Sequence, residues 1–191
     1  MSTIVVVKKN NHVCIAADSL MSFGDLRFNA HHNVHSDKIQ PLNNDGYIGI
    51  VGSAAHELVL DHVLKRDDLS LKWNNRRAIF DSFCQLHPIL KEHYFLNTKE
   101  DDDDPYEASQ IDALLATPQG IFGVYTLREV CEYSQYWAIG SGSDYALGAL
   151  LSLYDRLDSA EEIARAAVEA GAMFDSSSAM PLTSYTLELA E

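Results

Sequence analysis

Residues 3–8 form a β-branched run, Asn10-Asn11 is a turn signal, and residues 13–17 resume an apolar stretch, which predicts a hairpin near the start of the chain. Residues 47–51 predict a further strand. Gly52-Ser53 then opens a segment over 54–65 that carries Leu58, Val59, His62 and Val63 at helical spacing. Over 74–95, Ile79, Phe83, Leu86 and Leu90 recur at intervals of 4, 3 and 4, the pattern of one apolar helical face. Pro88 is expected to kink this second helix or to end its first part.

Farther along, residues 111–116 and 121–125 flank Pro118-Gln119-Gly120, a hairpin signal, and residues 133–139 predict one more strand. Helices return over 143–156 and 159–174. The second of these opens on Ser159 with Glu162 three residues later, a capping box that satisfies the free amides of the first turn. Residues 182–189 alternate as a closing strand. This order departs from strict β-α alternation and predicts an α+β chain with two antiparallel sheets covered by helix pairs. With no internal repeat or second module visible, function is expected to lie in one domain.

Composition narrows the classes. A chain of 191 residues, 47% of them hydrophobic, buries a core without disulfides or metal. A formal charge of −14 repels phosphate backbones and anionic lipid surfaces, so neither nucleic acid nor membrane is an expected partner. Cys14, Cys84 and Cys131 show neither a disulfide framework nor a CxxC site and read as buried thiols of a cytoplasmic protein. The opening residues lack the basic and apolar regions of an export signal. Asp101 to Asp104 lie within a solvated loop over 99–109, and the spacing and central glycine of a calcium loop are missing. His31, His32 and His35 form a cluster without an accompanying carboxylate pattern, so no metal or cofactor is expected.

There is no GxxxxGK[ST], HExxH or GxSxG motif, because Gly140-Ser141-Gly142-Ser143 sets its glycines on the wrong beat for a nucleophile elbow. What stands out is Ser2, directly after Met1 and directly before a strand. Once Met1 is removed, Ser2 carries a hydroxyl and an α-amine on adjacent carbons. That amine has an ordinary pKa of about 7.7–8.0, so nucleophile and base can come from one residue.

The order of several motifs resembles proteasome β-type subunits and the bacterial HslV peptidase. Ser2-Thr3-Ile4-Val5 is similar to the family's Thr-Thr-Ile-Val start, and Ala16-Ala17-Asp18 places Asp18 sixteen residues after the nucleophile position. His35-Ser36-Asp37-Lys38-Ile39 resembles the segment of the catalytic lysine, and Gly52-Ser53-Ala54-Ala55 the stretch whose glycine amide forms the oxyanion hole. The segment from Ala138 through Gly140-Ser141-Gly142 to Leu147 is close to the HslV segment supporting the nucleophile, and Asp175-Ser176-Ser177-Ser178 resembles the proteasomal Asp-x-x-Ser motif. This mixture is similar to the beta-proteobacterial proteasome homologues, BPH.

The resemblance implies a four-layer αββα sandwich, the fold of N-terminal-nucleophile hydrolases, as a single peptidase domain over 2–191. It implies catalytic positions Ser2, Asp18, Lys38, Gly52, Ser141, Asp175 and Ser178, no cofactor, self-association into stacked six- or seven-fold rings, and unfolded protein or peptide as substrate. An ATPase partner is left open. Alternatives are a small-molecule amidohydrolase of the same class and a catalytically idle ring scaffold. Four departures stand out: serine replaces threonine, about four extra residues separate Asp18 from Lys38, His56 follows the GSAA stretch where an aspartate is usual, and the acidic loop has no counterpart.

Overall fold

The computed structural model describes residues 2–43, 46–99, 101 and 103–190. Met1, whose removal is expected, lies outside the described residues, as do Glu100 and Asp102 of the acidic segment. Asn10 and Asn11 both take positive φ, 47° and 64°, as a tight two-residue hairpin turn requires. Around them β1 (Ile4–Lys9) and β2 (His12–Asp18) pair antiparallel, with Ile4 opposite Ala17 and Lys9 opposite His12.

Next come β3 (Met21–Phe23), β4 (Leu26–Phe28), β5 (Ile39–Pro41), β6 (Tyr47–Val51), α1 (Ala55–Leu64), α2 (Arg76–His93), β7 (Asp112–Thr117) and β8 (Gly120–Val124). The chain closes with β9 (Val130–Tyr133), β10 (Tyr136–Ile139), α3 (Ser143–Leu153), α4 (Ala160–Phe174) and β11 (Leu182–Glu188). One sheet has the order β10-β1-β2-β11 and the other β5-β6-β7-β8-β9, all neighbours antiparallel; β3 and β4 form a separate hairpin.

Both faces of the central strands are covered, which explains why they read as continuous apolar runs. From β1, Val5 and Val7 join Ile163, Ala167 and Val168 of α4, while Ile4 and Val6 turn toward Leu114 and Ile121 of the other sheet. On the far side of that second sheet, Leu115 and Phe122 pack with Leu60 of α1 and Phe83 and Leu86 of α2. The layers are therefore α3/α4, sheet, sheet, α1/α2, the four-layer αββα arrangement. The sheets approach closely at Gly49, where a Cβ would lie 2.9 Å from Ile4 Cγ2.

Four expectations are corrected. Pro88 does not end helix α2, which runs on to His93: Pro88 and Cys84, whose carbonyl loses its helical partner, are both exposed, so that carbonyl is open to solvent. Residues 133–139 form not one strand but the end of β9 and then β10, because the chain crosses between sheets at Ser134-Gln135, with Gln135 accepting from the Lys8 amide at 2.6 Å. The third helix ends at Leu153, short of Arg156. Of the thiols only Cys14 is buried; Cys84 sits off the apolar stripe of α2 and is exposed, and Cys131 is partly so. Among the described residues no helix is long and apolar enough to cross a membrane.

Candidate active site

The β1–β2 register decides which carboxylate meets the start of the chain. Continuing the pairing by one residue puts Asp18 opposite Thr3, and the two backbones bond: Asp18 N–H donates to the Thr3 carbonyl at 3.1 Å. The Asp18 carboxylate, fully buried, turns back along the hairpin. Its Oδ1 accepts the Thr3 amide at 2.9 Å and the Lys38 ammonium at 2.7 Å, while Oδ2 accepts the amides of Leu20 and Ala179, each at 3.0 Å. A buried charge persists only when compensated in this way.

Lys38 arrives from the loop before β5, its side chain 10% exposed. The segment between Asp18 and Lys38 leaves the sheet as the β3–β4 hairpin and an exposed His-Asn loop, and the contact forms despite its extra length. Neighbouring Asp37 is tied to β11, accepting from Thr183 Oγ1 at 2.8 Å and from the Tyr185 hydroxyl, and it also accepts the Ile39 amide. Its bond to Asp37 pushes the Tyr185 phenol up to about 12. Burial drives the Lys38 pKa down, with Asp18 acting against it.

A second network lies on the other side of residues 2 and 3. Ser141 Oγ and Ser178 Oγ both donate to Asp175 Oδ2 at 2.7 Å, and the Ser178 hydroxyl also meets Thr3 Oγ1 at 2.8 Å. The Ser177 amide donates to Asp175 Oδ1 at 3.2 Å. Burial acts to raise the Asp175 pKa, but the bonds from Ser178, Ser141 and the Ser177 amide outweigh it and hold the carboxyl below its usual value. The Gly140 turn presses on Ser2: Gly142 N–H donates to the Ser2 carbonyl at 3.3 Å, and a Cβ at Gly140 would lie 2.0 Å from that oxygen. Gly140 also has φ +94°, a conformation that glycine adopts without strain.

Ser2 is itself only 4% exposed and lines a cleft with Lys38, Gly52 and Ser53. Gly52 holds φ +113° with open space where a side chain would go, so its backbone conformation and not packing calls for glycine. The seven positions singled out in the sequence thus fall into two groups around one point: Asp18, Lys38 and Gly52 with the cleft, and Ser141, Asp175 and Ser178 behind residues 2 and 3.

The sequence model of the proteasome subunit family matches residues 1–187. The chain belongs to the proteasome subunit family. Two structures of Thiobacillus denitrificans BPH, one in complex with epoxomicin, superpose with TM-scores of 0.91 and 0.90 at 37% and 38% identity, the first covering 99% of this chain and 100% of that one, the second 98% of each. The ATP-dependent protease subunit HslV of Caldanaerobacter subterraneus subsp. tengcongensis is 27% identical over 88% of both chains. HslV of Trypanosoma brucei shares the fold, with a TM-score of 0.67 at 20% identity over 97% of this chain and 99% of that one.

In this proteasome-family chain, sequence reasoning missed Thr3, the residue that joins the two networks. Its amide serves Asp18, its hydroxyl serves Ser178, and it is fully buried against Gly142 and Gly171, where an added Cβ would lie 2.0 and 2.4 Å from Thr3 Oγ1. Within a β-branched run a threonine carries no distinguishing local signal; the two glycines facing it come from segments 139 and 168 residues away. Among the described residues no cluster of three or more His, Cys, Asp or Glu that could hold a metal is found.

Proposed function

We propose that this chain is a self-compartmentalising, threonine-type endopeptidase subunit that uses Ser2, freed as the N-terminal residue, to hydrolyse peptide bonds. The observation that carries this reading is the convergence of the buried Lys38–Asp18 pair and the Ser141–Asp175–Ser178 network on residues 2 and 3. The similarity to HslV protease subunits and to a BPH that binds epoxomicin supports it. The peptidase domain takes in residues 2–191, works in the cytoplasm without a cofactor, and assembles with its own copies into stacked rings of six or seven that enclose the cleft. Unfolded protein or peptide is the substrate.

In the mechanism, Ser2 Oγ attacks the scissile carbonyl carbon and its proton passes to the Ser2 α-amine, directly or through one water. The ammonium of Lys38 lowers the cost of the developing alkoxide. Amide N–H of Gly52 donates to the tetrahedral oxyanion, a contact commonly worth about 2.7–4 kcal/mol of barrier. Collapse expels the amine fragment with the proton held by the α-amine, and water then releases the acyl group from Ser2. Ser141, Asp175 and Ser178 orient the amine.

The test is intact mass after incubation of the untagged protein with a peptidyl epoxyketone, which requires a hydroxyl and a free α-amine on one residue. The expected result is loss of Met1 and a single adduct at Ser2. Retention of Met1, or a trimmed chain that takes no adduct, would overturn the peptidase reading in favour of an idle ring scaffold or a small-amide hydrolase.

A further inference from the structure

The cleft beside Ser2 has an apolar wall, formed by Leu20, Met21, Ile50 and Ala54, and one acidic residue, Glu57 of α1. The other charge in its lining is Lys38, which is committed to Asp18 at 2.7 Å. Nearby Asp37 is engaged by Thr183 and Tyr185, and Asp61 by Lys65. The Glu57 carbonyl accepts the Gln40 side-chain amide at 2.9 Å, which fixes this first turn of α1. Its carboxylate, half-buried, has no hydrogen-bonded or ion-paired partner among the described residues.

We propose, resting on the peptidase reading above, that this cleft receives the side chain on the acyl side of the scissile bond and that Glu57 selects lysine or arginine there. The methylene stem of either residue packs on the apolar wall while its cationic head meets the carboxylate, the usual division of labour for these side chains. A leucine fills the wall but leaves Glu57 desolvated without a counter-charge, and a glutamate adds repulsion. Burial already raises the pKa of Glu57, with His35 and Lys38 acting against the rise and Asp37 and Asp61 with it, so a cation relieves an existing cost. The competing explanation is that Glu57 only complements the N-terminal dipole of α1.

The experiment compares kcat/KM of the assembled protein on four peptides identical except at the acyl-side residue: lysine, arginine, leucine or glutamate. Lysine and arginine should lead leucine by about tenfold, as a charge-assisted contact in a partly desolvated site supplies. In Glu57→Gln that ratio should fall to within about twofold of unity, and in Glu57→Lys the glutamate peptide should move ahead. A wild-type preference for leucine, or a ratio unmoved in Glu57→Gln, overturns the assignment. A drop in Tm with the ratio intact does the same and leaves Glu57 to its helix. Failure to cleave all four peptides together with failure of epoxyketone labelling at Ser2 overturns the peptidase reading, and this assignment with it; labelling with a flat profile sinks the Glu57 assignment alone.

Discussion

Thr3 and Asp18 face each other across the first hairpin and are bonded twice, backbone to backbone at 3.1 Å and Thr3 amide to Asp18 carboxylate at 2.9 Å. The sixteen-residue spacing from Ser2 to Asp18 is a consequence of that register. In an antiparallel pair with a two-residue turn at Asn10-Asn11, the residue opposite Thr3 can only be Asp18. A one-residue slip would move the carboxylate to the other face of the sheet and away from Lys38.

Ser2, the nucleophile in the mechanism proposed above, is expected to respond to the methyl group that threonine would supply. Ser2→Thr restores a γ-methyl that restricts χ1, so adduct formation with the epoxyketone should speed up by about two- to tenfold. Ser2→Ala should assemble as the parent does, judged by size-exclusion chromatography with light scattering, and hydrolyse no peptide.

In the proposed mechanism the charge of Lys38 is expected to set an alkaline limit. Because burial lowers its pKa from the ordinary 10.5 despite Asp18, the ammonium loses its proton at lower pH than a free lysine. If the cation assists the Ser2 hydroxyl, kcat falls as pH rises through that lowered value. Lys38→Arg should have a pH profile without this alkaline limb, at a reduced plateau. Lys38→Met should also destabilise the fold by about 3–5 kcal/mol, since Asp18 is left buried without its counter-ion; urea unfolding checks it.

In the proposed mechanism Asp175 acts from behind the Ser2 amine. Asp175→Asn presents one acceptor oxygen instead of two and should lower kcat on the order of tenfold while KM stays within about twofold. The folded-state pKa of Asp175 is lowered, so its ionisation contributes stability that is present above the unfolded value of about 3.9 and is lost as pH falls through the folded value. The unfolding free energy of Asp175→Asn should therefore fall less between neutral and acid pH than that of the parent does.

Thr3 occupies a slot that tolerates nothing larger. Gly171→Ala drives a methyl group into its side chain and should cost about 1–3 kcal/mol. Thr3→Ala should recover part of that loss in the double variant, although alone it is destabilising by about 1–2 kcal/mol because Ser178 loses a buried partner. A double-mutant cycle on Tm and unfolding free energy measures the coupling. Additive losses would dissociate Thr3 from Gly171.

Strong local signals carried much of the fold. Asn10-Asn11 fixed the hairpin, and Ser159 caps α4 by accepting the Glu162 amide at 3.2 Å, as the capping box predicts. The alternation of residues 113–116 between two cores is visible only once both sheets are known. Strands β3 and β4 escaped notice because each has three residues, mostly exposed, next to a loop rich in His and Asn. The break between β9 and β10 leaves no trace in hydrophobicity, since both flanks remain strand-like on either side of the crossing. For the site, the resemblance of short motifs to those of the family pointed to Asp18, Lys38 and Asp175, whereas Thr3, Leu20 and Ala179 contribute mainly through backbone amides or a hydroxyl that any strand or turn could carry.

Strand β1 is not at an edge: β10 flanks it on one side, β2 on the other, and β2 in turn is closed by β11. The partners that hold residues 2 and 3 in place are therefore far apart in sequence, Ser178 lying 175 residues after Thr3 and Ala179 lying 161 after Asp18. During synthesis the first residues leave the ribosome long before their supports exist. In the mechanism proposed above, Ser2 gains these supports only after residues 178 and 179 have been made, a delay that spares neighbouring nascent chains from an unenclosed nucleophile.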